Sequence, residues 1–217
     1  MQDNDYLVQQ PQQARSQETM QNILDAAALI LERKNFEELT IAEIVHEAGT
    51  SVGAFYGRFK DKDALLQALD ERFFDEFEKD IQVFLSPQNI QHKSITEIVH
   101  QVCALLVTTY SRQTGVLRSL NLKSRLTNDS HFLRREKRSW DEFYPVLQKI
   151  LLSYDAQISH PDPHLATRLG FQQMFYTMRE ILLWEPLRDE PAYPSKQLID
   201  ELSRAYLAYL GIKDIEQ

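Results

Sequence analysis

The 217-residue sequence has little of several features that mark common classes of protein. Its single cysteine, Cys103, excludes an internal disulfide framework. It has no apolar run long enough to cross a bilayer and no signal-peptide pattern at its polar N-terminus. Alternating strand patterns are nearly absent, and the six glycines and eight prolines lie mostly between stretches of helical periodicity. These absences predict a soluble, cytoplasmic protein of the all-α class.

Motifs that carry catalytic, cofactor or metal chemistry are missing as well. There is no Gly-x-Ser-x-Gly elbow, no His-Glu-x-x-His pair and no glycine-rich phosphate loop. His160 and His164 are four residues apart, but Pro161 and Pro163 interrupt the helix that would align them as zinc ligands. Cys103 lies in an apolar stretch and is interpreted as a buried, inert thiol. We therefore expect no enzymatic activity, no cofactor and no metal site.

An excess of acidic residues constrains any interaction with nucleic acid. The formal net charge is −8, and the first 64 residues hold six basic and eleven acidic side chains. This charge argues against nonspecific binding of nucleic acid over the whole surface. DNA binding would depend on the local cluster of Arg58, Lys60 and Lys62. Such a cluster can still meet phosphates, because charges beyond about 10 Å are largely screened at 0.1 M salt.

Three helix N-cap residues follow one another closely, at Thr40, Ser51 and Asp61. Thr40 and Glu43 form a capping box, and Gly49 stands where a helix C′ residue turns left-handed without steric cost. Two short helices joined by a tight, glycine-containing turn form a helix-turn-helix, which is the motif that this pattern predicts.

The second helix of this motif is predicted over Val52–Phe59. Its outward side carries small or polar residues, namely Val52, Gly53, Ala54, Tyr56 and Arg58. Small residues let the helix backbone approach another molecule closely. Lys62 falls in the first turn of the next helix, where a cation opposes the helix dipole by roughly 0.3–1 kcal/mol unless a phosphate is bound there.

The residues of this stretch resemble the TetR (tetracycline-repressor-like) family of transcriptional regulators. The matching residues are Thr40, Ile41, Ala42, Ala48, Gly49, Ser51, Gly53, Tyr56, Phe59, Lys62 and Leu65. Their register, Gly-x-Ser-x-Gly-x-x-Tyr-x-x-Phe-x-x-Lys, is stricter than that of a generic helix-turn-helix. The resemblance covers about residues 16–70, and the remainder matches in helical character and length only.

The resemblance implies a ligand-responsive repressor that binds a palindromic operator as a homodimer and is released by a small apolar or aromatic effector. The residues that would contact DNA are Thr40, Ser51, Val52, Gly53, Ala54, Tyr56, Arg58, Lys60 and Lys62. Of these, Arg58 would reach a guanine or a phosphate, and the lysines would hold phosphates. About six charged contacts per dimer would lower the affinity by roughly three decades between 50 and 200 mM salt. Val52 in place of a cation, and Gly57, depart from the common family pattern.

The same resemblance implies an N-terminal three-helix bundle with the helix-turn-helix and a C-terminal helical domain for ligand binding and dimerisation. We expect a disordered arm over 1–15, the DNA-binding domain over 16–61, a connector helix over 62–85 and the second domain over 86–217. Ser16 would cap the first helix, and the loop that begins at Ser86 would end the connector.

Five further helices are predicted in the second domain: Ser94–Tyr110, Val116–Leu126, 129 or 130 to Tyr154, His164–Trp184 and Ser195–Leu210. The third of these has a basic face, which is either solvated or a second nucleic-acid surface; its residues are Arg134, Arg135, Lys137 and Arg138. The last two helices are rich in apolar residues, which either cover their own core or pair with a second copy as a four-helix bundle.

An effector cavity is expected between the long helices of the second domain. Its candidate lining residues are Phe77, Leu106, Tyr110, Phe143, Leu147, Phe171, Phe175 and Met178. A different class of function is open at this stage, namely a helical dimer that sequesters a hydrophobic ligand without binding DNA. Enrichment of a palindrome from random duplex DNA would separate the two.

Overall fold

The computed structural model describes residues 12–127, 130–184 and 193–212. These residues form ten α-helices and two 3₁₀ turns without a strand, which confirms the all-α prediction. The helices are α1 (Gln12–Leu31), α2 (Ile41–Glu47), α3 (Val52–Tyr56), α4 (Lys62–Phe84), α5 (Pro87–Ile90), α6 (Ile95–Arg112), α7 (Thr114–Thr127), α8 (Ser130–Leu152), α9 (Pro163–Trp184) and α10 (Ser195–Leu210). None of the described helices is long and apolar enough to span a membrane.

The described residues up to Leu69 form one compact unit, and those from Asp70 onward form a second. This division lies inside α4, whereas the sequence placed the boundary after that helix, at Ser86. The reason is that the apolar residues of α4 serve two cores. Leu65, Leu66 and Leu69 are fully buried in the first unit, and the aromatic residues that follow belong to the core of the second.

The first unit contains α1, α2, α3 and the start of α4, built around one apolar core. The core residues are Ile23, Leu24, Ala27, Leu31, Leu39, Ile44, Phe55, Phe59, Leu65 and Leu66. The helix α1 begins at Gln12, so Ser16 lies within it and is not the N-cap that we predicted. Residues 12–15 are therefore helical rather than part of a disordered arm, and residues 1–11 lie outside the described part of the chain.

The second unit is centred on α9, which packs against α6, α7, α8 and α10. Predicted capping residues begin two of its helices. The Ser94 hydroxyl accepts a hydrogen bond from the Glu97 amide at 3.2 Å, and the Asp162 carboxylate accepts one from the Leu165 amide at 2.9 Å. The helix α8 continues through Pro145, which has no amide hydrogen to donate to the Asp141 carbonyl one turn earlier. Asp129, the alternative cap for α8, lies outside the described residues.

Close packing of α9 on α10 depends on Gly170. A Cβ atom there would lie 2.5 Å from a ring carbon of Tyr206 and 2.9 Å from one of Tyr209. Tyr206 is held in place because its hydroxyl donates a 2.6 Å hydrogen bond to the Thr167 carbonyl. The two helices thus meet at a distance that only glycine permits at this position.

The apolar surface of the last two helices is largely used within their own unit. The core-facing side of α10 consists of Leu198, Leu202, Tyr206, Leu207 and Leu210, all buried. Its exposed side carries Gln197, Glu201 and Arg204, with Ala205 and Ala208 between them. On α9, large apolar groups remain exposed, with Leu165 and Tyr176 at 48% and 54%. The excess apolar surface predicted for both helices is therefore found on α9 only.

Candidate nucleic-acid interface

Hydrogen-bonded caps fix where each helix of the helix-turn-helix begins. The Thr40 hydroxyl accepts from the Glu43 amide at 3.3 Å, and the Glu43 carboxylate accepts from the Thr40 amide at 3.2 Å. The Ser51 hydroxyl accepts from the Ala54 amide at 3.1 Å, which begins α3. Gly49, between the two helices, has φ = 61°. The capping box, the second N-cap and the left-handed glycine are all as the sequence predicted.

The short helix α3 turns one side into the core and the other to solvent. Phe55 is fully buried and anchors the inner side. On the outer side Val52 and Tyr56 are 47% and 56% exposed, and a Cβ at Gly53 would meet nothing nearer than the Ser51 hydroxyl at 3.9 Å. The helix ends at Tyr56, earlier than the predicted Phe59, because the chain turns at Gly57.

Arg58 is engaged within the first unit. Its Nη1 donates a 2.8 Å hydrogen bond to the Ala54 carbonyl, and its Nε donates a 3.2 Å bond to the Ser16 carbonyl. A third bond runs from Nη2 to the Ser16 hydroxyl at 3.4 Å. A guanidinium has five N–H groups, so three are used to join α3 to α1 and two remain. Arg58 therefore positions the recognition helix in addition to any contact with DNA.

Lys62 has a structural position as well. Its ammonium donates to three backbone carbonyls, those of Leu39 at 2.8 Å, Phe36 at 3.3 Å and Glu37 at 3.3 Å. It also lies 5.1 Å from the centre of the Phe36 ring, where a cation is attracted to the π-electrons. A lysine ammonium has three N–H groups, and all three are matched here. The carbonyls, rather than a phosphate, compensate the charge that sits unfavourably at the start of α4.

The remaining predicted DNA contacts differ in how accessible they are. Lys60 is exposed, and Thr40 and Ser51 are exposed but use their hydroxyls as helix caps. Ala54 is half-buried. Of the nine predicted residues, Val52, Gly53, Tyr56 and Lys60 are thus exposed without a cap role, and the two cations Arg58 and Lys62 have intramolecular partners.

A charge network joins the end of α1 to the start of α2. The Lys34 ammonium forms an ion pair with the Glu43 carboxylate, which also belongs to the capping box. The hydrogen bond from Lys34, followed by those from Thr40, lowers the pKa of Glu43 to about 2 from its ordinary value of 4.5. The capping carboxylate is therefore ionised at all physiological pH values.

Acid should weaken this network in a defined pH range. Because the folded pKa of Glu43 is lowered, its contribution to stability is complete above about pH 5 and is lost as the pH falls toward 2. Glu43→Gln should therefore lower the midpoint of thermal unfolding at pH 7, and the difference from the wild type should shrink steadily between pH 5 and pH 2. Glu47→Gln, at an exposed carboxylate in the last turn of the same helix, is the control. A difference that is constant with pH would contradict the assigned role.

Two lysines two residues apart provide a test of the structural position of Lys62. Lys62→Met should lower the free energy of unfolding by about 1–3 kcal/mol, because three carbonyls lose their donor. Lys60→Met should change it by less than about 0.5 kcal/mol, because Lys60 is exposed. Urea unfolding of the full chain, followed by circular dichroism, measures both. Equal effects of the two substitutions would show that the carbonyl contacts of Lys62 contribute nothing.

The predicted effector residues mostly form the core of the second unit instead of lining a cavity. Phe77, Leu106, Phe143, Leu147 and Met178 are 0–2% exposed and closely packed. Tyr110 borders only a small void of about 30 Å³. Aromatic and methionine residues at helical spacing are commonly core residues, and these six residues belong to the core of the second unit.

Phe171 and Phe175, the other two predicted residues, do line a larger space. It is a cleft of about 530 Å³ between α8 and α9. The residues that the sequence prediction missed there are Lys137, Trp140, Asp141, Tyr144, Gln148, Arg168, Gln172, Tyr176 and Arg179. A partial signal exists in the sequence, since polar residues recur on α9 at helical spacing at 168, 172 and 179, although Gln173, Thr177 and Glu180 of the same helix are polar as well.

The basic face of α8 is largely neutralised by its own unit. Arg135 lies 3.0 Å from the Asp75 carboxylate, Lys137 lies 2.6 Å from Asp141, and Arg138 lies 2.9 Å from Glu142. Paired charges of this kind describe a solvated helix face. They do not favour the alternative of a second surface for nucleic acid.

Two further residues from the sequence analysis have ordinary surroundings. Cys103 is fully buried, and burial raises the pKa of its thiol to about 11, as expected for an unreactive cysteine. The His160 Nδ1 accepts a 3.1 Å hydrogen bond from the Asp162 amide. Among the described residues, no group of three or more His, Cys, Asp or Glu side chains could hold a metal ion.

Sequence similarity to known proteins is found mainly in the first unit. Residues 23–69 match the family model described as bacterial regulatory proteins, tetR family. The A-factor receptor protein of Streptomyces griseus is 39% identical over 57 residues, which are 26% of this chain and 21% of that protein. The HTH-type transcriptional regulator BetI of Brucella abortus (strain 2308) is 30% identical over 77 residues, 36% of this chain and 39% of that protein. The chain thus spans well under half the length of both curated relatives.

Similarity over the whole chain is visible in structure. The transcriptional regulator FadR from Bacillus subtilis, solved in complex with stearoyl-CoA, has a TM-score of 0.59 and 20% sequence identity. The match covers 90% of this chain and 99% of that one. At this level of identity the comparison establishes the fold of both units and leaves the ligand open.

Proposed function

We propose that this chain, whose residues 23–69 match the tetR family of bacterial regulatory proteins, is a homodimeric repressor that binds a palindromic operator. In the proposal a small ligand held by the second unit releases the protein from DNA. The family and its solved structures are transcriptional regulators rather than enzymes.

The observation that carries the proposal is the outward side of α3. It presents Val52, Gly53 and Tyr56 to solvent while Phe55 holds the helix from behind. The major groove of B-DNA is about 12 Å wide and admits an α-helix, whose first residues usually reach the base edges. The small residues at the start of α3 would let its backbone approach those edges, so Val52 and Gly53 would read bases.

Contacts to the phosphates would come from fewer cations than the sequence alone indicates. Lys60 is exposed and the Tyr56 hydroxyl is at the surface, so both are placed to donate to the DNA backbone. Lys62 would support DNA binding indirectly, by holding the segment that precedes α2. Arg58 would do so in part by fixing the position of α3 against α1. We therefore expect a weaker dependence on salt than six phosphate contacts per dimer would give.

A second copy would pair through the start of α9 and through α10. Leu165 is exposed in the first turn of α9, and the small, exposed residues Ala205 and Ala208 on α10 would allow close approach. Two copies related by a twofold axis would present their α3 helices to half-sites about 34–36 Å apart on DNA. Pairing also enlarges the contact with DNA, because one short recognition helix has too small a footprint for tight specific binding.

The release of DNA by a ligand would use the second unit. The cleft between α8 and α9 has a volume within the range of about 300–1,000 Å³ that is typical of ligand sites. The helix α4 begins in the first unit and ends in the second, so it is the covalent element that both units share. A ligand that binds one arrangement of the protein more tightly would shift the population away from the DNA-binding arrangement.

Selection from random duplex DNA tests the proposal directly. The purified full chain should enrich a sequence with two half-sites related by twofold symmetry, their centres about one helical turn apart. The matched negative control is the Gly53→Glu variant, which adds bulk and negative charge to α3 at an open position. If no palindrome is enriched, the proposal fails, and the alternative of a ligand-binding helical dimer without DNA binding takes its place.

The two lysines should differ in how they affect the salt dependence on the selected duplex. Lys60→Met should reduce the slope of log affinity against log salt by about 2 for a dimer, since each lost phosphate contact accounts for about 0.9. Lys62→Met should weaken binding with little change in slope, because its ammonium is held by carbonyls. Fluorescence anisotropy between 50 and 200 mM salt measures both slopes. The reverse result would assign the phosphate contact to Lys62 after all.

A further inference from the structure

The cleft between α8 and α9 has walls made of aromatic rings. The Trp140 ring lies 4.3 Å from that of Phe175 and 5.7 Å from that of Phe171. On the other side of Phe171, the Tyr144 ring is 5.4 Å away. Phe171 and Phe175 are buried and lie behind the partly exposed rings of Trp140 and Tyr144, and such an aromatic wall favours an aromatic ligand that can stack or meet it edge to face.

The charge at the cleft is opposite in sign to that of the protein. Three cationic residues line it, against one acidic residue, in a chain whose net charge is −8. Lys137 and the acidic residue, Asp141, form an ion pair at 2.6 Å and so neutralise each other. The other two cationic residues of the cleft are Arg168 and Arg179.

The two arginines differ in what they contact. Arg179 lies over the rings of Phe175 and Tyr176, with its guanidinium carbon 5.6 Å and 5.0 Å from the ring centres. Arg168 is exposed and makes no hydrogen bond or ion pair with another residue of the described parts of the chain. A guanidinium with its donors available beside aromatic walls is suited to bind a carboxylate, with which it can form two parallel hydrogen bonds.

We propose that this cleft binds a flat aromatic carboxylate, with its rings against Trp140 and Tyr144 and its carboxylate at Arg168. Binding at the cleft does not depend on DNA binding, but the role of this ligand as the effector rests on the function proposed above. The positive charge of Arg168 favours an anionic ligand over a neutral apolar one. The mixture of rings and polar side chains distinguishes it from a purely hydrocarbon occupant.

Calorimetric titration with 2-naphthoate and its uncharged analogue 2-naphthamide tests the inference. The two probes have the same rings and differ in charge, so naphthoate should bind the full-length protein at least about tenfold more tightly. In a Trp184→Phe variant, Trp140 is the one remaining tryptophan, and its fluorescence should change on binding because it lies in the cleft wall. Equal affinity of the two probes would overturn the proposal, as would binding without a change at Trp140.

Substitution of Arg168 separates its charge from the aromatic walls. Arg168→Gln should weaken naphthoate binding about tenfold and change naphthamide binding less than twofold, whereas Arg168→Lys should restore part of the loss. The control is Arg204→Gln, at an exposed arginine of α10 that pairs with Glu201 at 3.2 Å. An unchanged affinity of Arg168→Gln for naphthoate, in protein with the wild-type melting temperature, would contradict the assignment.

The same probes distinguish failure of this inference from failure of the proposed function. If naphthoate binds as described but no palindrome is enriched from random DNA, the cleft assignment holds and the DNA-binding proposal is wrong. If a palindrome is enriched and neither probe binds, the cleft assignment is wrong and the regulator needs a different ligand site. Release of the selected duplex by naphthoate, but not by naphthamide, would support both.

Discussion

The burial of Phe55 is the constraint on which the helix-turn-helix of this protein depends. The helix that carries it, α3, has five residues, and isolated helices shorter than about 12–15 residues are marginal in water. It is held by a fully buried aromatic ring, by the Ser51 cap and by the bonds from Arg58 to α1. Because the inner side of α3 supplies its stability, the exposed residues Val52 and Gly53 on the outer side are not needed to hold the helix in place.

The cations near this helix show why a count of charges is a poor guide to a binding surface. Three basic residues stand close together in the sequence, and the fold uses Arg58 to bind a carbonyl of α3 and Lys62 to bind carbonyls of the segment that precedes α2. In an acidic protein this arrangement keeps the motif in shape while limiting general attraction to nucleic acid. Specific binding would then depend more on shape and hydrogen bonding than on the number of cations.

Local signals in the sequence predicted much of this structure, because they act over a few residues. The capping box at Thr40, the left-handed Gly49 and the cap at Asp162 each involve atoms within one helical turn. The failures concern contacts between distant segments. Nothing near Ser16 in sequence shows that α1 begins earlier, and periodicity alone does not separate a core residue such as Leu147 from one that lines a cleft. On α9 the residues that line the cleft include the polar Arg168, Gln172 and Arg179, but other polar residues of the helix face solvent, so the sequence marks the cleft only in part.

The proline within α8 has a consequence for the wall that it builds. Pro145 leaves the carbonyl of Asp141 without its usual helical donor, and Asp141 itself lines the cleft. The backbone of α8 therefore has one helical hydrogen bond fewer at the level of the aromatic rings. A helix that lacks one bond of its ladder bends at lower cost than a regular one, so α8 is the more deformable wall of the cleft, whereas α9 is held against α10 by the close contact at Gly170.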